Sequence, residues 1–421
     1  FFFKQKTAYE IVDCDWSSDV CSSDLPVRTF EKVQGRANVV ARLTGSGRKR
    51  PVLIMGHTDV VPVDVSKWRA HGPFSADLEG GYIYGRGTLD NKPSVVAGLM
   101  TLLELKRRGL RLDRDVIFLA EAGEEGAPQV GAQFMADEHY AEIAAEYCFA
   151  EQGGVPKLRG RALYGLVQTS EKHARTLELV ARGVSGHASV PLESNAIAHL
   201  AAAIQALARW EPTPRLNDTT RTYFTRLADV SPDFVARRYR EVLDRDRLVA
   251  VDRYFRANEP RHAALLHATV SPTVISGGQS FNVIPSEAKA TLDVRMLPDD
   301  DPAAVLSAMT RVVADPAVTV RWAPRTLRPV ASSALSTDAF RAVEAQVKKH
   351  YGVTTLPSLG TGATDMAYMR AKGMQCYGIG PATDDEDAER GFGLHGDQER
   401  IAETELQRFV RFQFDVVAAL A

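Results

Sequence analysis

Cysteine is scarce in this chain: there are four in 421 residues, and two of them, Cys14 and Cys21, fall in an N-terminal stretch unlike the rest. Cys148 and Cys376 each sit inside an apolar run. That setting suits a buried thiol better than a disulfide framework or a thiolate metal site. No apolar run approaches the roughly 20 residues that cross a bilayer as a helix. Charge of one sign is not in excess either. Positions 1–25 carry two of the 51 basic and five of the 53 acidic residues, so 49 and 48 remain and the net formal charge is +1. Such a balance argues against nucleic acid or an anionic membrane surface as a partner. No internal repeat is evident. What is present, 45% hydrophobic and 25% charged residues, is enough for two or three packed domains.

Phe1 to Leu25 shows no sustained helical or strand period, and its end resembles a translated sequencing adapter joined to a genuine reading frame. It is expected to be foreign and is set aside from fold reasoning as a tag would be. The compartment is not legible without the natural start.

Val52-Leu-Ile-Met-Gly-His-Thr-Asp59 organises the rest. Four apolar residues closed by Gly56 predict a buried strand of an α/β sheet, with His57 and Asp59 at its carboxyl end. In extended chain the two side chains share a face, so the carboxylate could orient a metal-binding imidazole, although a satisfied histidine beside a turn Asp reads equally well. Ala37 to Leu43 predicts an edge strand, and Gly45-Ser46-Gly47 a hairpin turn onto Val52. Asp90 precedes a helix over Val95 to Arg108 with Pro93 in its first turn, where it is either a ligand or an N-cap. Val116 to Ala122 predicts a second strand, ending at Glu124 and Glu125 between glycines; two adjacent carboxylates there want a cation unless they form a solvated turn. Tyr147 to Ala150 predicts a third, followed at once by Glu151. Three strand ends each delivering a candidate ligand mark the edge at which open α/β sheets bind ligands.

Beyond Gly165 the expected order is β-α-β-β-α-β, a ferredoxin-like unit, interrupted over 212–267 by a charged insertion whose Val235 to Phe255 reads as a solvated helical pair. Sheet-and-helix texture then resumes with the loop Gly360-Thr-Gly-Ala-Thr-Asp365, a helix from Met366 to Lys372, a strand from Cys376 to Ile379, His395 between glycines and a terminal helix from Glu403 to Leu420. The expected division is 26–168 and 325–421 for a split catalytic domain, and 169–324 for the inserted one. Two histidines and three carboxylates, His57, Asp90, Glu125, Glu151 and His395, suit two zinc-like ions sharing a carboxylate. Glu124 is then free to act as general base.

Gly56-His-Thr-Asp59, Gly85-Arg-Gly-Thr-Leu-Asp-Asn-Lys92, Glu124-Glu-Gly126, Gly186-His-Ala-Ser189 and Asn282-Val-Ile-Pro285 resemble the motifs of one family over essentially Pro26 to Ala421. It is the dinuclear zinc peptidase and amidohydrolase family of aminoacylase, glutamate carboxypeptidase, carboxypeptidase S, acetylornithine deacetylase and succinyl-diaminopimelate desuccinylase. The texture is most similar to the carboxypeptidase S and N-acyl-amino-acid hydrolase branch. The resemblance implies a zinc-peptidase-like mixed sheet flanked by helices, with the inserted domain as lid and dimerisation module. It implies two Zn2+, with Co2+ or Mn2+ as substitutes: Asp90 bridges, His57 and Glu151 hold one ion, and Glu125 and His395 hold the other. Asp59 orients His57, Glu124 is the base, and His187 reaches the oxyanion in the partner subunit's site. Asn282, Arg295, Gly362 and Thr364 match substrate-binding positions, and an Arg suits a carboxylate through bidentate bonds. Asn91 and Pro93 depart from the residues usual after the bridging Asp. The implied substrate is a small peptide or N-acyl amino acid; a two-metal phosphoesterase and an inactive dimeric binding protein are the rival readings.

Overall fold

The computed structural model describes residues 25–324 and 328–421. The segment expected to be foreign lies outside them apart from Leu25. Val52–His57 is buried along its whole length, as a strand covered on both faces must be. Its side chains alternate between two cores. Val52 and Ile54 meet Leu102, Phe118, Phe409 and Val416 on one side, and Leu53 and Met55 meet Phe134, Met135, Met366 and Met369 on the other. The helices Lys92–Arg107 and Glu403–Leu420 cover the first face, and the short helices Ala132–Glu138 and Met366–Ala371 the second.

The sheet has eight strands in the order Val27–Glu31, Ala37–Leu43, Val116–Glu121, Val52–His57, Tyr147–Ala150, Gln375–Gly378, Gly165–Glu171 and Thr355–Gly360. It is mixed, and the four from Val116–Glu121 to Gln375–Gly378 run parallel. That stacks the carboxyl ends of the His57, Glu121 and Ala150 strands side by side, with His57 in register with Glu121. This is the mixed α/β architecture expected from the sequence. One local reading changes. Ala37–Leu43 is no edge strand, because Val27–Glu31 covers its outer side and Val116–Glu121 its inner side, so Gly45-Ser46-Gly47 closes no hairpin onto Val52.

The second sheet is antiparallel, in the order Thr269–Gly277, Glu287–Met296, His173–Arg182 and Val318–Trp322, packed against the helices Ala196–Ala208 and Pro302–Val313. It is the ferredoxin-like unit. Gly165–Glu171 pairs within the large sheet and the small sheet starts at His173, so Lys172 alone separates the two on that side.

The insertion differs from its sequence reading. Helices Asp218–Val230, Asp233–Glu241 and Arg245–Asn258 close around Phe224, Tyr239, Val251 and Phe255, and Leu356 from the edge strand of the large sheet joins that cluster. Phe224 and Phe255 are wholly buried and stack with centroids 5.8 Å apart. The charges that suggested solvation, such as those of Arg237, Arg247 and Arg253, stay on the outer faces. Removing a buried ring of this kind costs about 3–5 kcal/mol, so Phe224→Ala should lower the unfolding free energy, read from denaturant titration, by that much. A loss within about 0.5 kcal/mol, the range of a surface substitution, would mean that the helices are solvated after all.

Candidate metal centre

Gly56 prepares the approach to His57. A side chain there would meet Asn91 Oδ1 at 3.0 Å and Ser94 Cβ at 3.1 Å, so glycine lets the start of the Lys92–Arg107 helix lie directly against the strand. His57 itself is 1% exposed. Its Nδ1 lies 2.9 Å from the main-chain oxygen of Asp59 and 3.7 Å from that residue's carboxylate. The carbonyl thus takes the Nδ1 proton and fixes the tautomer. The Asp59 carboxylate does something else, accepting the main-chain N–H groups of Gly123, Glu124 and Glu125 at 2.8, 3.2 and 3.1 Å. It shapes the turn that presents the two glutamates.

With Nδ1 bonded to that carbonyl, His57 Nε2 faces two carboxylates, Asp90 Oδ1 at 2.9 Å and Glu151 Oε2 at 3.3 Å. Asp90, joined to Asn91 by a cis peptide bond, turns its other oxygen to His395. His395 Nε2 lies 3.2 Å from Asp90 Oδ2 and 3.1 Å from Glu125 Oε1. Two trios result, His57-Asp90-Glu151 and Asp90-Glu125-His395, and they share Asp90. Asn91, one of the departures from the family pattern, donates its amide to Glu151 Oε2 at 3.0 Å and holds the residue position just before the helix without a side-chain cap bond.

The electrostatics ask for a cation. Burial would lower the His57 pKa, but Asp90 and Glu151 outweigh it and hold the imidazolium well above its ordinary range. Burial pushes Glu151 up to about 7 and Asp365 to about 8, and raises Glu125 and Glu121 as well. Protons stand here where metal ions fit: the donors are imidazole nitrogen and carboxylate oxygen, the ligand types of zinc.

Several of these groups carried no role in the sequence reading. Arg328 donates to Glu124 Oε1 and to its main-chain oxygen, both at 3.2 Å, and lies 3.1 Å from Asp365. Glu121 is buried behind the ligands. Sequence offered little signal for either, since Arg328 is remote in the chain and Glu121 ends an otherwise apolar run. A cleft of about 360 Å³, the size of a small-molecule site, is lined by Glu124, Glu125, Lys172, Arg295, Arg328 and Gly362 among others, and so opens between the two sheets. Arg295 bonds Asp293 through Nε at 2.8 Å. Thr364 is fully buried instead of facing this cleft; its position in the turn before the Met366 helix directs the hydroxyl to Glu171 at 2.7 Å. His187 and Asn282 sit together at the far end of the small domain, where His187 pairs with Val283 and Asn282 O accepts the Ala188 N–H. Among the described residues, no hydrogen bond or ion pair joins either of them to the trios.

A helix-flanked mixed sheet with histidines and carboxylates at its strand ends, and a ferredoxin-like unit set into it, defines an enzyme of the metallopeptidase and amidohydrolase class. Residues 53–419 match the model of peptidase family M20/M25/M40, and the chain belongs to that family. Over 384 residues it is 28% identical to the probable carboxypeptidase S-like 2 of Dictyostelium discoideum, covering 87% of this chain and 71% of that protein. Over 383 residues it is 29% identical to the N-fatty-acyl-amino acid synthase/hydrolase PM20D1 of Homo sapiens, covering 87% and 74%. Its fold is similar to that of the M20 family metallo-carboxypeptidase Sso-CP2 of Sulfolobus solfataricus, with a TM-score of 0.69 at 20% identity over 94% of this chain and 90% of that one.

The raised Glu151 pKa sets a pH dependence for metal binding. A bound cation favours the carboxylate, so binding expels the proton that Glu151 holds below about 7. Zinc affinity should therefore weaken as pH falls through about 7, by up to roughly tenfold per pH unit for the Glu151 proton, in addition to the proton that His57 must give up. Calorimetric titrations from roughly pH 6 to roughly pH 8 check this, and an affinity unchanged over that range would contradict it.

Proposed function

We propose that the protein hydrolyses an amide bond beside a free carboxylate, as a metallocarboxypeptidase or N-acyl-amino-acid amidohydrolase. The observation that carries this reading is a pair of histidine-carboxylate trios sharing Asp90, with Glu124 beside them and Arg295 in the same cleft. His57, Asp90 and Glu151 would hold one Zn2+, and Asp90, Glu125 and His395 the other. Two such ions supply the positive charge that makes a water acidic and stabilises negative charge on the scissile carbonyl oxygen. Glu124 takes the proton of the attacking water and passes it to the leaving nitrogen. Asp59 holds the turn that aims Glu124, and its carbonyl orients His57. Arg295, with Nε tied to Asp293, keeps its terminal nitrogens for the substrate carboxylate. Gly362 leaves room along the cleft, and Thr364 supports it from behind through Glu171. The names of the two sequence relatives favour the same substrate classes.

Purified zinc-loaded protein should release amino acids from N-acyl amino acids or small peptides, and should fail when the carboxylate is amidated. Equal rates on both forms would remove the anchor. Glu124→Gln should keep both metals and lose about 10²–10⁴ in kcat. Loss of zinc with it would mean that Glu124 and Glu125 exchange roles.

We further read the protein as a homodimer in which His187 serves the partner's site. The strand Thr269–Gly277 is an exposed sheet edge with Val274 and Ile275 turned to solvent, a surface that pairs readily with a second copy. Among the described residues the His187 ring bonds Ser189 alone, through Nδ1, which leaves Nε2–H to donate to an oxyanion. Glu124→Gln and His187→Ala, each inactive, should recover activity toward about a quarter of wild type when subunits exchange, since one site in each heterodimer then has both groups. No recovery above the parents would place His187 on its own subunit's site.

A further inference from the structure

Glu399 is fully buried and so far without a role. Its Oε1 accepts the main-chain N–H groups of Leu89 at 2.7 Å and Asp90 at 3.1 Å. Its Oε2 accepts Gly87 N–H at 3.0 Å and Arg86 Nη1 at 2.8 Å. Arg86, also buried, sends its second branch to the main-chain oxygen of His395, 3.2 Å from Nη2. A buried ion pair is costly unless its remaining donors and acceptors are satisfied, and here four donors fill the carboxylate while, among the described residues, Arg86 Nε alone of the pair's polar atoms lacks a hydrogen bond. The pair grips the backbone of Asp90 at one end and of His395 at the other.

The two histidines need such help unequally. His57 ends a buried strand. The His395 side chain is 51% exposed, and its backbone has φ of 61°, a left-handed conformation that residues with a side chain adopt reluctantly. Among the described residues, the hydrogen bond from Arg86 is the one recorded for the His395 main chain.

We propose that Arg86 and Glu399 are a positioning pair: by fixing the backbones of Asp90 and His395 relative to each other, they set the hold on the cation shared by Asp90, Glu125 and His395. The inference rests on the two-cation reading above. Supporting groups of this kind typically govern metal affinity by about 10–100-fold.

The test is zinc per chain by mass analysis across a chelator series, with thermal melts as a check on folding, for wild type, Glu399→Gln and Arg86→Lys. Glutamine turns an NH2 toward groups that are themselves donors. Lysine keeps the charge beside Glu399 but lacks the fork that reaches His395, so it carries the test if the glutamine variant does not fold. Each folded variant should give up one of two ions at a chelator concentration about 10–100-fold lower than wild type and retain the other. A folded Arg86→Lys that holds both ions as wild type does, or sheds both together, overturns the proposal. Wild type that binds no zinc would instead overturn the two-cation reading.

Discussion

Crowding of like charge at one end of the large sheet is the constraint on which the rest depends. Asp90, Glu121, Glu124, Glu125, Glu151 and Asp365 act on one another there, several of them buried, with Arg328 and two histidines as the cationic groups among them. Burial makes each unneutralised carboxylate expensive, and the cost appears as protons retained on Glu151 and Asp365 near neutral pH. A site that must hold protons to stand without metal is one that metal ions can complete. The surrounding structure holds these groups together against their repulsion: Asp59 ties the Gly123-Glu124-Glu125 turn, Asn91 bonds Glu151, and Arg328 clamps Glu124 to Asp365.

Burial also explains how much of this was legible in the chain. Val52–His57, Val116–Glu121 and Tyr147–Ala150 are buried on both faces, so each reads as an apolar run, and a charged residue at the end of such a run stands out. His57, Glu125 and Glu151 stand out that way, whereas Asp90 and His395 lie in glycine-bearing loops. Their division into two trios came from resemblance, because which strand lies beside which is decided by long-range pairing that no local pattern records. Asp59 was expected to orient His57 through its carboxylate, and period-two alternation could not tell that its carbonyl would meet the ring instead. The insertion was misread because its exposed arginines dominate composition while a few aromatic residues decide burial. Glu399 and Arg86 are 313 positions apart, and nothing local joins them.

The junction of the two sheets is as densely tied as the site. Glu171 ends the large sheet's strand and takes hydrogen bonds from Thr364 and Arg370, while Lys172 donates to Ala264 and His267 at the end of the helical insertion. Burial without a bonded carboxylate pushes the Lys172 amine down to about 7. Thr364, expected at the substrate, thus belongs to the joint that carries the cleft wall formed by Lys172, Arg295 and Gly362. The insertion reaches the same joint from the outside, which links the outer helices to the geometry of the cleft.

Two cations with Asp90 between them are what this strand edge is proposed to hold. Anomalous diffraction from zinc-equilibrated crystals tests this directly. Two peaks should appear about 3.5–4 Å apart, one among His57, Asp90 and Glu151 and the other among Asp90, Glu125 and His395. A single peak, or peaks that leave Asp90 uncoordinated, would contradict it.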